Sequence, residues 1–265
     1  MRIARFSFAG EVGFGLIDFD AGDASADGAP AATVTELSGH PFAPVVPSGV
    51  RHRLADVRLL APVLPSKVVA VGRNYAEHAR ELGEEAPEAP LIFLKPSTSV
   101  IGPGDPIAYP EQSRRVDHEG ELAVVIGRLC RDVPLERAQD VVLGYTCAND
   151  VTARDLQRAD GQWARAKGFD SFCPLGPWVE TELDVADVAV TCAVNGEARQ
   201  EGRTAQLTHD VPALIAYVSS VMTLLPGDVL LTGTPAGVGP LEIGDEVSVT
   251  VEGIGTLTNR VVRRD

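Results

Sequence analysis

The chain has 265 residues, 45% hydrophobic and 23% charged, and this length allows one large domain or one domain with a small appendage. The formal net charge of −14 argues against nucleic acid or an anionic membrane as a partner, because both need a basic face. No apolar run approaches the roughly 18–20 residues that cross a bilayer. The N-terminal segment is too short and too alternating for a signal peptide, so a cytoplasmic protein is expected.

Residues 1–60 predict a small N-terminal β domain. Alternating runs over 2–8 and 11–18 predict a hairpin, and 33–37 predict a third strand. Residues 20–32 are rich in Ala, Asp and Gly without periodicity, which predicts a mobile loop. Nothing in this region indicates chemistry, so we expect a module for packing or oligomer contact.

The second predicted domain covers residues 64–265 and opens on a strand that leads into a short helical pattern. On that helix His78 and Glu81 are three residues apart, so their side chains share a face and can touch. A carboxylate that orients an imidazole makes a usable general base near neutral pH. The alternative is an ordinary surface contact. The acidic residues 84–90 that follow are loop-like, so the helix can act as a lid.

A second motif places two carboxylates at the start of an apolar, β-branched run. The run predicts one buried strand over residues 118–127, on which Glu119 and Glu121 point to the same face. Two like charges on an apolar face repel each other and lose hydration, which is costly unless a cation lies between them. The spacing therefore indicates a divalent metal ion. The alternative is a solvated strand end with two surface glutamates.

A third carboxylate, Asp150, follows the strand predicted over residues 142–149. It is either the cap of the next helix or the missing metal ligand, and Arg154 and Gln157 on that helix can face the same pocket. Lys167 lies farther along, between small and aromatic residues. Most lysines face solvent, but an anion-binding site on a chain with this net charge needs local cations.

The remaining chain is dominated by strand patterns. Asn195-Gly196 is a strong type I′ turn signal between two strands, and Asp210 is a good N-cap for a helix over residues 211–224. A second hairpin is predicted over residues 246–262. The four cysteines form no CxxC pair, so we expect reduced core residues. These patterns predict a mainly β protein with some α structure, as a closed or rolled sheet with a few helices outside.

Five segments, in this order along the chain, resemble the fumarylacetoacetate hydrolase family, and the likeness covers roughly residues 64–263. Each is weak evidence alone, and the ordered set is specific. They are Gly72-Arg73-Asn74-Tyr75, His118-Glu119-Gly120-Glu121-Leu122, Asn149-Asp150-Val151-Thr152-Ala153-Arg154-Asp155, Lys167-Gly168-Phe169-Asp170 and Leu231-Thr232-Gly233-Thr234-Pro235-Ala236-Gly237-Val238-Gly239.

The resemblance implies a β-roll domain with a Mg²⁺ or Mn²⁺ site, a small N-terminal β domain as in the longer bacterial members, and a homodimer. It makes Glu119, Glu121 and Asp150 the metal ligands. His78 and Glu81 match the family's base dyad on a lid helix, with Lys167 as a further catalytic residue. Positions that match substrate contacts are Arg73, Arg154, Gln157 and Thr234.

The implied substrate is a small 2-oxo acid that chelates the metal and reacts through a metal-held enolate. Three reactions fit: C–C hydrolysis of an acylpyruvate or fumarylacetoacetate-like compound, decarboxylation as of oxaloacetate, and isomerisation of an unsaturated 2-oxo dioate. The complete dyad favours hydrolysis, because decarboxylation gives a base little to do. The alternative from another class is a non-catalytic metal- or acid-binding β protein, which would not require the dyad and the cations.

Overall fold

A computed structural model describes residues 1–24, 30–81, 83, 85 and 87–264. Within this part the protein is mainly β, as predicted, with twenty strands and four short α-helices. The strands are β1 (Arg2–Phe8), β2 (Glu11–Ala24), β3 (Pro30–Leu37), β4 (Pro47–Arg53), β5 (Arg58–Leu60), β6 (Val68–Gly72), β7 (Leu91–Lys95), β8 (Val100–Ile101), β9 (Ile107–Tyr109), β10 (Val116–His118), β11 (Gly120–Ile126), β12 (Val142–Asn149), β13 (Thr152–Ala153), β14 (Cys173–Glu180), β15 (Ala189–Val194), β16 (Glu197–Arg203), β17 (Val229–Leu231), β18 (Gly239–Leu241), β19 (Glu246–Val251) and β20 (Gly255–Arg263).

The helices connect strands and cover parts of the sheets. They are α1 (Ala76–Glu81), α2 (Arg154–Asp160), α3 (Ala164–Lys167) and α4 (Val211–Val221). Single 3₁₀ turns occur at Leu54–Asp56, Ser97–Ser99 and Thr204–Gln206, and a longer 3₁₀ segment spans Leu135–Val141. In the described part of the chain, no helix is long and apolar enough to span a membrane.

The largest sheet has twelve strands, ten of them in the order β4-β3-β2-β1-β14-β12-β11-β17-β6-β7, with β5 paired to β1 and β8 to β14. A five-stranded sheet, β16-β15-β19-β20-β9, packs against β11, β12 and β14. Leu122 and Val124 of β11 face this second sheet, while Ala123 and Val125 contribute to a separate core on the other face. Every residue of β11 is buried, so charges at its start have little access to water.

The N-terminal strands join the large sheet. Arg2 pairs with Glu180 and Ile3 with Val179, so β1 adds directly to β14 of the larger domain. β2 and β3 also continue farther than predicted: Phe19 pairs with Ala32 and Ala24 with Pro30, which replaces most of the predicted loop over residues 20–32 by a hairpin. Residues 25–29 of that loop lie outside the described residues. The division of the chain at about residue 60 stays a prediction.

The predicted strand over residues 118–127 is wrong in one respect. Strand β10 ends at His118 and belongs to a three-stranded sheet with β13 and β18, whereas β11 begins at Gly120 in the large sheet. Glu119 lies between the two, where the backbone changes sheets. Its side chain is therefore placed by a strand junction and not by simple alternation along one strand.

Other local predictions agree with the structure. Asn195 and Gly196 have φ angles of 53° and 79°, as a type I′ turn between β15 and β16 requires. Asp210 caps α4, as predicted, by accepting a hydrogen bond from the Ala213 N–H at 2.9 Å, but the helix ends at Val221 and not at residue 224. All four cysteines are free and buried.

Candidate active site

Three carboxylates converge where β10, β11 and β12 meet. Glu119, Glu121 and Asp150 each offer an oxygen atom, and these oxygens lie within 4.8 Å of one another. Their exposed fractions are 4%, 2% and 1%. Glu119 lies at the β10–β11 junction, Glu121 on β11, and Asp150 directly after β12. The structure thus brings together the three residues that the sequence predicts as metal ligands.

Hydrogen bonds from the backbone N–H groups of Asp150 and Glu119 hold the two contributing segments in register. The Asp150 N–H donates to the Glu119 carbonyl at 2.8 Å, and the Glu119 N–H donates to the Asn149 side-chain oxygen at 3.0 Å. Gly120 is the backbone partner of Asn149 in the β11–β12 ladder. The convergence is therefore built into the main sheet, in which residues distant in sequence become neighbours.

Lys167 and Lys95, two wholly buried lysines, neutralise part of this acidic cluster. Lys167 Nζ donates to Glu119 Oε2 at 2.7 Å and to Asp150 Oδ2 at 2.6 Å. Lys95 Nζ donates to the other oxygen of Asp150 at 2.5 Å and to the Val151 carbonyl at 3.3 Å. Both oxygens of Asp150 therefore carry a lysine contact.

Arg154, at the start of α2, donates hydrogen bonds to two acidic side chains and to Gln157. Its Nη2 donates to Glu119 Oε1 at 2.6 Å, its Nε to Asp117 Oδ2 at 3.0 Å, and its Nη1 to Gln157 Oε1 at 2.8 Å. Burial alone would lower the pKa of Arg154, but the charges of Glu119 and Asp117 outweigh it and raise that pKa. The guanidinium is thus a fixed positive charge in the cluster.

The pKa values of Glu119 and Glu121 are shifted in opposite directions. Burial favours the neutral form of Glu119, but Lys167 and Arg154 outweigh it and hold the pKa of Glu119 below its usual range. At Glu121 burial is the largest influence, and the neighbouring charges of Asp150 and Glu119 act in the same direction. Together they raise the pKa of Glu121 well above the usual range. Glu121 is the carboxylate that the protein alone leaves least stabilised as an anion.

This donor set fits a divalent ion. Carboxylate oxygens are the ligands that Mg²⁺ and Mn²⁺ prefer in proteins, and three such groups leave positions for further oxygen ligands. In the described structure the donor that Glu121 finds is the Gly233 N–H at 2.7 Å. A divalent cation beside Glu121 would supply the positive charge that the acidic neighbours of this residue demand.

The two residues of the predicted dyad contact each other in the structure. His78 and Glu81 lie on α1, and the His78 Nδ1 to Glu81 Oε2 distance is 3.1 Å. The Gly237 N–H lies 3.2 Å from both oxygens of Glu81, which ties the helix to the segment after β17. Because Nδ1 is occupied by Glu81, Nε2 is the ring atom available for chemistry. His78 is only 4% exposed, so its imidazole is not an ordinary surface group, whereas Glu81 reaches solvent.

A cavity of about 260 Å³ joins the triad to the dyad. Its walls contain all ten residues that the sequence predicts for the site, together with five others. The predicted ones are Arg73, His78, Glu81, Glu119, Glu121, Asp150, Arg154, Gln157, Lys167 and Thr234, and the additional ones are Val71, Gly72, Phe93, Arg158 and Trp163.

The side chains predicted to contact the substrate differ in which of their groups already interact with the protein. The Thr234 hydroxyl donates to the Gly120 carbonyl at 2.8 Å, so its proton is committed to the main chain. The Gln157 amide oxygen is held by Arg154, which leaves its NH₂ group for a ligand. Arg73 has a positive φ of 59°, and its guanidinium carbon lies 5.9 Å from the centre of the Trp163 ring. Arg73 and Arg158 are more exposed than the triad and lie toward solvent.

Three buried residues of this region are missing from the sequence prediction: Lys95, Asp117 and Gln200. Lys95 directly follows the apolar run of β7, and a lysine at the end of a strand usually marks the surface. Asp117 stands beside His118-Glu119 in sequence, so its position was a usable signal. Gln200 lies in a strand whose other residues, apart from Gly202, are exposed, which hides its buried position.

Comparisons with known proteins find two family models that together match nearly all of the chain. A family model described as "Fumarylacetoacetate (FAA) hydrolase C-terminal" matches residues 67–262, and one described as "Rv2993c-like, N-terminal" matches residues 1–62. A solved 5-carboxymethyl-2-hydroxymuconate delta-isomerase from Mycobacterium smegmatis is 56% identical, with a TM-score of 0.91 and complete coverage of both chains.

Two further relatives have different activities in their names. The mitochondrial oxaloacetate decarboxylase of Dictyostelium discoideum is 46% identical over 72% of this chain and 90% of its own length. A fumarylpyruvate hydrolase from Pseudomonas aeruginosa, solved in complex with Mn²⁺ and pyruvate, is 38% identical, with a TM-score of 0.71 over 75% of this chain and 90% of that one.

Proposed function

Since the chain belongs to the fumarylacetoacetate hydrolase family, we propose that it is a divalent-metal-dependent enzyme that transfers a proton within 2-oxo dicarboxylates, as a tautomerase or isomerase. The observation that carries the proposal is one cavity that joins the acidic triad to the His78–Glu81 dyad. A metal-binding protein without catalysis would have no use for the dyad in that position.

The charges of the cluster favour a substrate with two negative groups. Four carboxylates and three basic side chains are buried together: Asp117, Glu119, Glu121, Asp150, Lys95, Arg154 and Lys167. With all of them ionised, this buried cluster carries one net negative charge, and a divalent ion turns it into one net positive charge. In the wall of the same cavity Arg73 and Arg158 add two positive charges and Glu81 adds one negative charge, so the site with a divalent ion carries two net positive charges. On a chain of net charge −14, a site that becomes positive when its divalent ion is bound indicates an anionic ligand.

In this proposal Glu119, Glu121 and Asp150 hold Mg²⁺ or Mn²⁺. The ion, when bound, stabilises the negative charge that develops on the keto oxygen of a 2-oxo acid. Lys167 and Arg154 offset the charge of the adjacent substrate carboxylate, and the free NH₂ of Gln157 donates to it. Arg73 and Arg158 bind the distal carboxylate, for which guanidinium groups offer paired donors.

The dyad performs the proton transfer. His78 Nε2 accepts the proton from the carbon next to the keto group and returns it at the carbon or oxygen that becomes protonated in the product. Glu81 keeps the other proton of the ring on Nδ1 and stabilises the imidazolium form, while the Gly237 N–H holds Glu81 in place.

The second candidate is C–C hydrolysis of an acylpyruvate, the reaction that the sequence analysis favours. It is supported by the same dyad, which can activate a water molecule, and by the likeness to the fumarylpyruvate hydrolase. Decarboxylation of oxaloacetate is the third reaction on the same substrate class. It needs no water nucleophile and makes the smallest demand on His78.

One set of assays separates these reactions. Purified protein is incubated with Mg²⁺ or Mn²⁺, or with EDTA, and NMR follows three substrates: oxaloacetate, an unsaturated 2-oxo dioate and acetylpyruvate. We expect metal-dependent keto–enol conversion and exchange of the C3 proton in D₂O, faster than loss of CO₂ or release of acetate. Acetate release as the fastest process would favour the hydrolase. No metal-dependent turnover of any 2-oxo acid would contradict the enzymatic proposal.

An Arg158→Met variant tests the class of substrate. We expect its KM to rise about ten-fold for a 2-oxo dicarboxylate and to stay unchanged for pyruvate-like monocarboxylates, because only the former reach the distal arginines. Equal changes for both classes would contradict a dicarboxylate-binding role. The homodimer that the family resemblance implies is a further part of the proposal, and sedimentation equilibrium tests it.

A further inference from the structure

Gln200 is a buried amide that is saturated with hydrogen bonds. Its Oε1 accepts from the Gly120 N–H at 2.9 Å and lies 3.1 Å from His118 Nδ1. Its Nε2 donates to the Thr234 hydroxyl and to the Pro235 carbonyl, each at 2.7 Å. A glutamine amide has two donors and two acceptor positions, so all its capacity is used inside the protein. Its exposed fraction is 1%.

Strand β16, which carries Gln200, packs closely against the turn at residues 233–237. Gly202, two residues along β16, leaves space for this turn, because a Cβ atom there would lie 2.5 Å from Pro235 Cβ. Gly237 is packed as closely: its φ is 98°, and a Cβ atom would lie 2.1 Å from the Arg199 carbonyl oxygen. The turn therefore lies directly against the main chain of β16, with Gln200 as its polar anchor.

Both ends of this turn reach the candidate active site. The Gly233 N–H donates to Glu121 at 2.7 Å, and the Gly237 N–H lies 3.2 Å from the Glu81 oxygens. Gln200 also binds Gly120, the residue between Glu119 and Glu121. One side chain outside the cavity thus contacts the backbone of the metal-ligand segment and the turn that holds both Glu121 and Glu81.

We propose that Gln200 is a positioning residue, which sets the spacing between the metal ligands and the dyad through Gly120 and the 233–237 turn. The inference rests on the proposed function for its catalytic consequence, but its effect on metal binding does not. Groups that orient metal ligands change metal affinity or activity by about 10–100-fold when they are removed. Gln200 acts through its hydrogen bonds to Gly120, Thr234 and Pro235. It does not itself line the cavity, and it touches no side chain of a metal ligand.

The test compares Gln200→Met with a matched control, Asn259→Leu. Methionine keeps the length of glutamine and removes all four hydrogen bonds. Asn259 lies on β20 of the same five-stranded sheet, is 2% exposed, and donates to the carbonyl oxygens of Gly102 at 2.8 Å and Asp105 at 2.9 Å. Both variants therefore lose a buried amide from the same sheet, with four hydrogen bonds removed at Gln200 and two at Asn259.

Metal-free wild type and both variants are titrated with Mn²⁺, and electron paramagnetic resonance measures the free ion. Urea unfolding of the same samples measures stability. We expect Gln200→Met to weaken Mn²⁺ binding by about ten-fold or more, and Asn259→Leu to leave it within about two-fold of wild type. Equal Mn²⁺ affinities of Gln200→Met and wild type would overturn the proposal. An equal weakening in both variants would also overturn it, because general destabilisation would then suffice.

A second variant, Gly202→Ala, covers the case in which Gln200→Met does not fold. The added methyl group meets Pro235 and displaces the turn while Gln200 is retained. We expect weaker Mn²⁺ binding in this variant as well, and unchanged binding would overturn the inference. Failure of the proposed function gives a different pattern: wild type that binds Mn²⁺ but turns over no 2-oxo acid, with Gln200→Met still weaker in Mn²⁺ affinity.

Discussion

Two buried carboxylates, Asp228 and Glu121, are treated very differently by the fold. Asp228 is 0% exposed and accepts hydrogen bonds from the N–H groups of Ser66, Lys67 and Leu225 at 3.1, 3.2 and 2.8 Å, as well as from the Ser66 hydroxyl and the Lys67 ammonium group. Burial alone would raise the pKa of Asp228, but Lys67 and Ser66 outweigh it and lower that pKa.

Glu121 receives much less support from the protein. In the described residues its hydrogen-bond donor is the Gly233 N–H, and two acidic groups lie beside it. The fold therefore satisfies Asp228 completely and leaves Glu121 short of positive charge. This difference separates a carboxylate that ties β17 to the start of β6 from one that a ligand must complete.

The largest expected effect is the loss of activity in Glu121→Gln. Glutamine is neutral, so it removes a metal ligand but keeps the shape of the side chain. We expect metal-dependent turnover to fall by at least about 10³-fold, while the unfolding free energy of the EDTA-treated protein stays equal or rises. Steady-state kinetics with Mn²⁺ and urea unfolding in EDTA measure the two quantities. Full activity in this variant would remove the distinction between Glu121 and Asp228.

A smaller loss of activity is expected in His78→Ala, which removes the base but leaves the triad intact. Reactions that need a base, proton transfer and acylpyruvate hydrolysis, should slow by at least about 10²-fold, and oxaloacetate decarboxylation should be spared more. Mn²⁺ affinity should stay close to that of wild type, which a titration of the metal-free protein checks. Equal losses in all three reactions would contradict this division of roles.

Asp228→Asn is expected to lower stability and keep activity, the reverse of what we expect for Glu121→Gln. The variant leaves the Lys67 ammonium group and three N–H donors with a weaker acceptor, which we expect to lower the unfolding free energy by about 2 kcal/mol. Turnover per folded molecule and Mn²⁺ affinity should remain near the wild-type values. Urea unfolding and kinetics at low temperature test this expectation, and a selective loss of Mn²⁺ binding without destabilisation would contradict it.

The smallest effect is a pH trend of opposite sign in the two regions. The pKa of Glu121 is raised, so the folded protein holds a proton that the unfolded chain releases near its ordinary pKa of 4.5. The unfolding free energy in EDTA should therefore fall as pH rises from that value through the raised pKa. The lowered pKa of Asp228 contributes stability that is present above its ordinary value of 3.8 and lost as pH falls through the folded pKa.

Urea unfolding in EDTA across the range from acid to neutral pH measures both trends. Subtracting the Glu121→Gln curve from the wild-type curve isolates the Glu121 contribution, and the Asp228→Asn curve isolates the other. Parallel curves for wild type and Glu121→Gln would mean that Glu121 titrates normally in the folded protein.

Much of the site was predictable because its acidic residues occur in short, regular patterns. Glu119 and Glu121 are two residues apart before an apolar run, Asp150 ends a strand, and His78 and Glu81 share a helix face. The structure brings all of them to one cavity. The change of sheets at Glu119 was not predictable, because the residues on both sides of it have the same strand-like character.

The residues that sequence analysis missed depend on distant partners. Lys95 is buried because Asp150, 55 positions later, neutralises it, and Gln200 is buried because the 233–237 turn packs over it. Neither partner is visible in the local pattern. β4 and β5 were missed for a different reason: Pro47 and Gly49 interrupt β4, and β5 has only three residues.

The pairing of β1 with β14 also bears on how the protein folds and how it tolerates truncation. Since the first strands extend the sheet that contains β11 and β12, a piece beginning near residue 64 would leave the backbone groups of β14 beside Glu180 and Val179 without their neighbour. An uncovered strand of this kind invites association between copies. The amino-terminal strands thus cover the edge of β14 that such a piece would expose, and we expect the two parts of the sheet to unfold in a single cooperative transition.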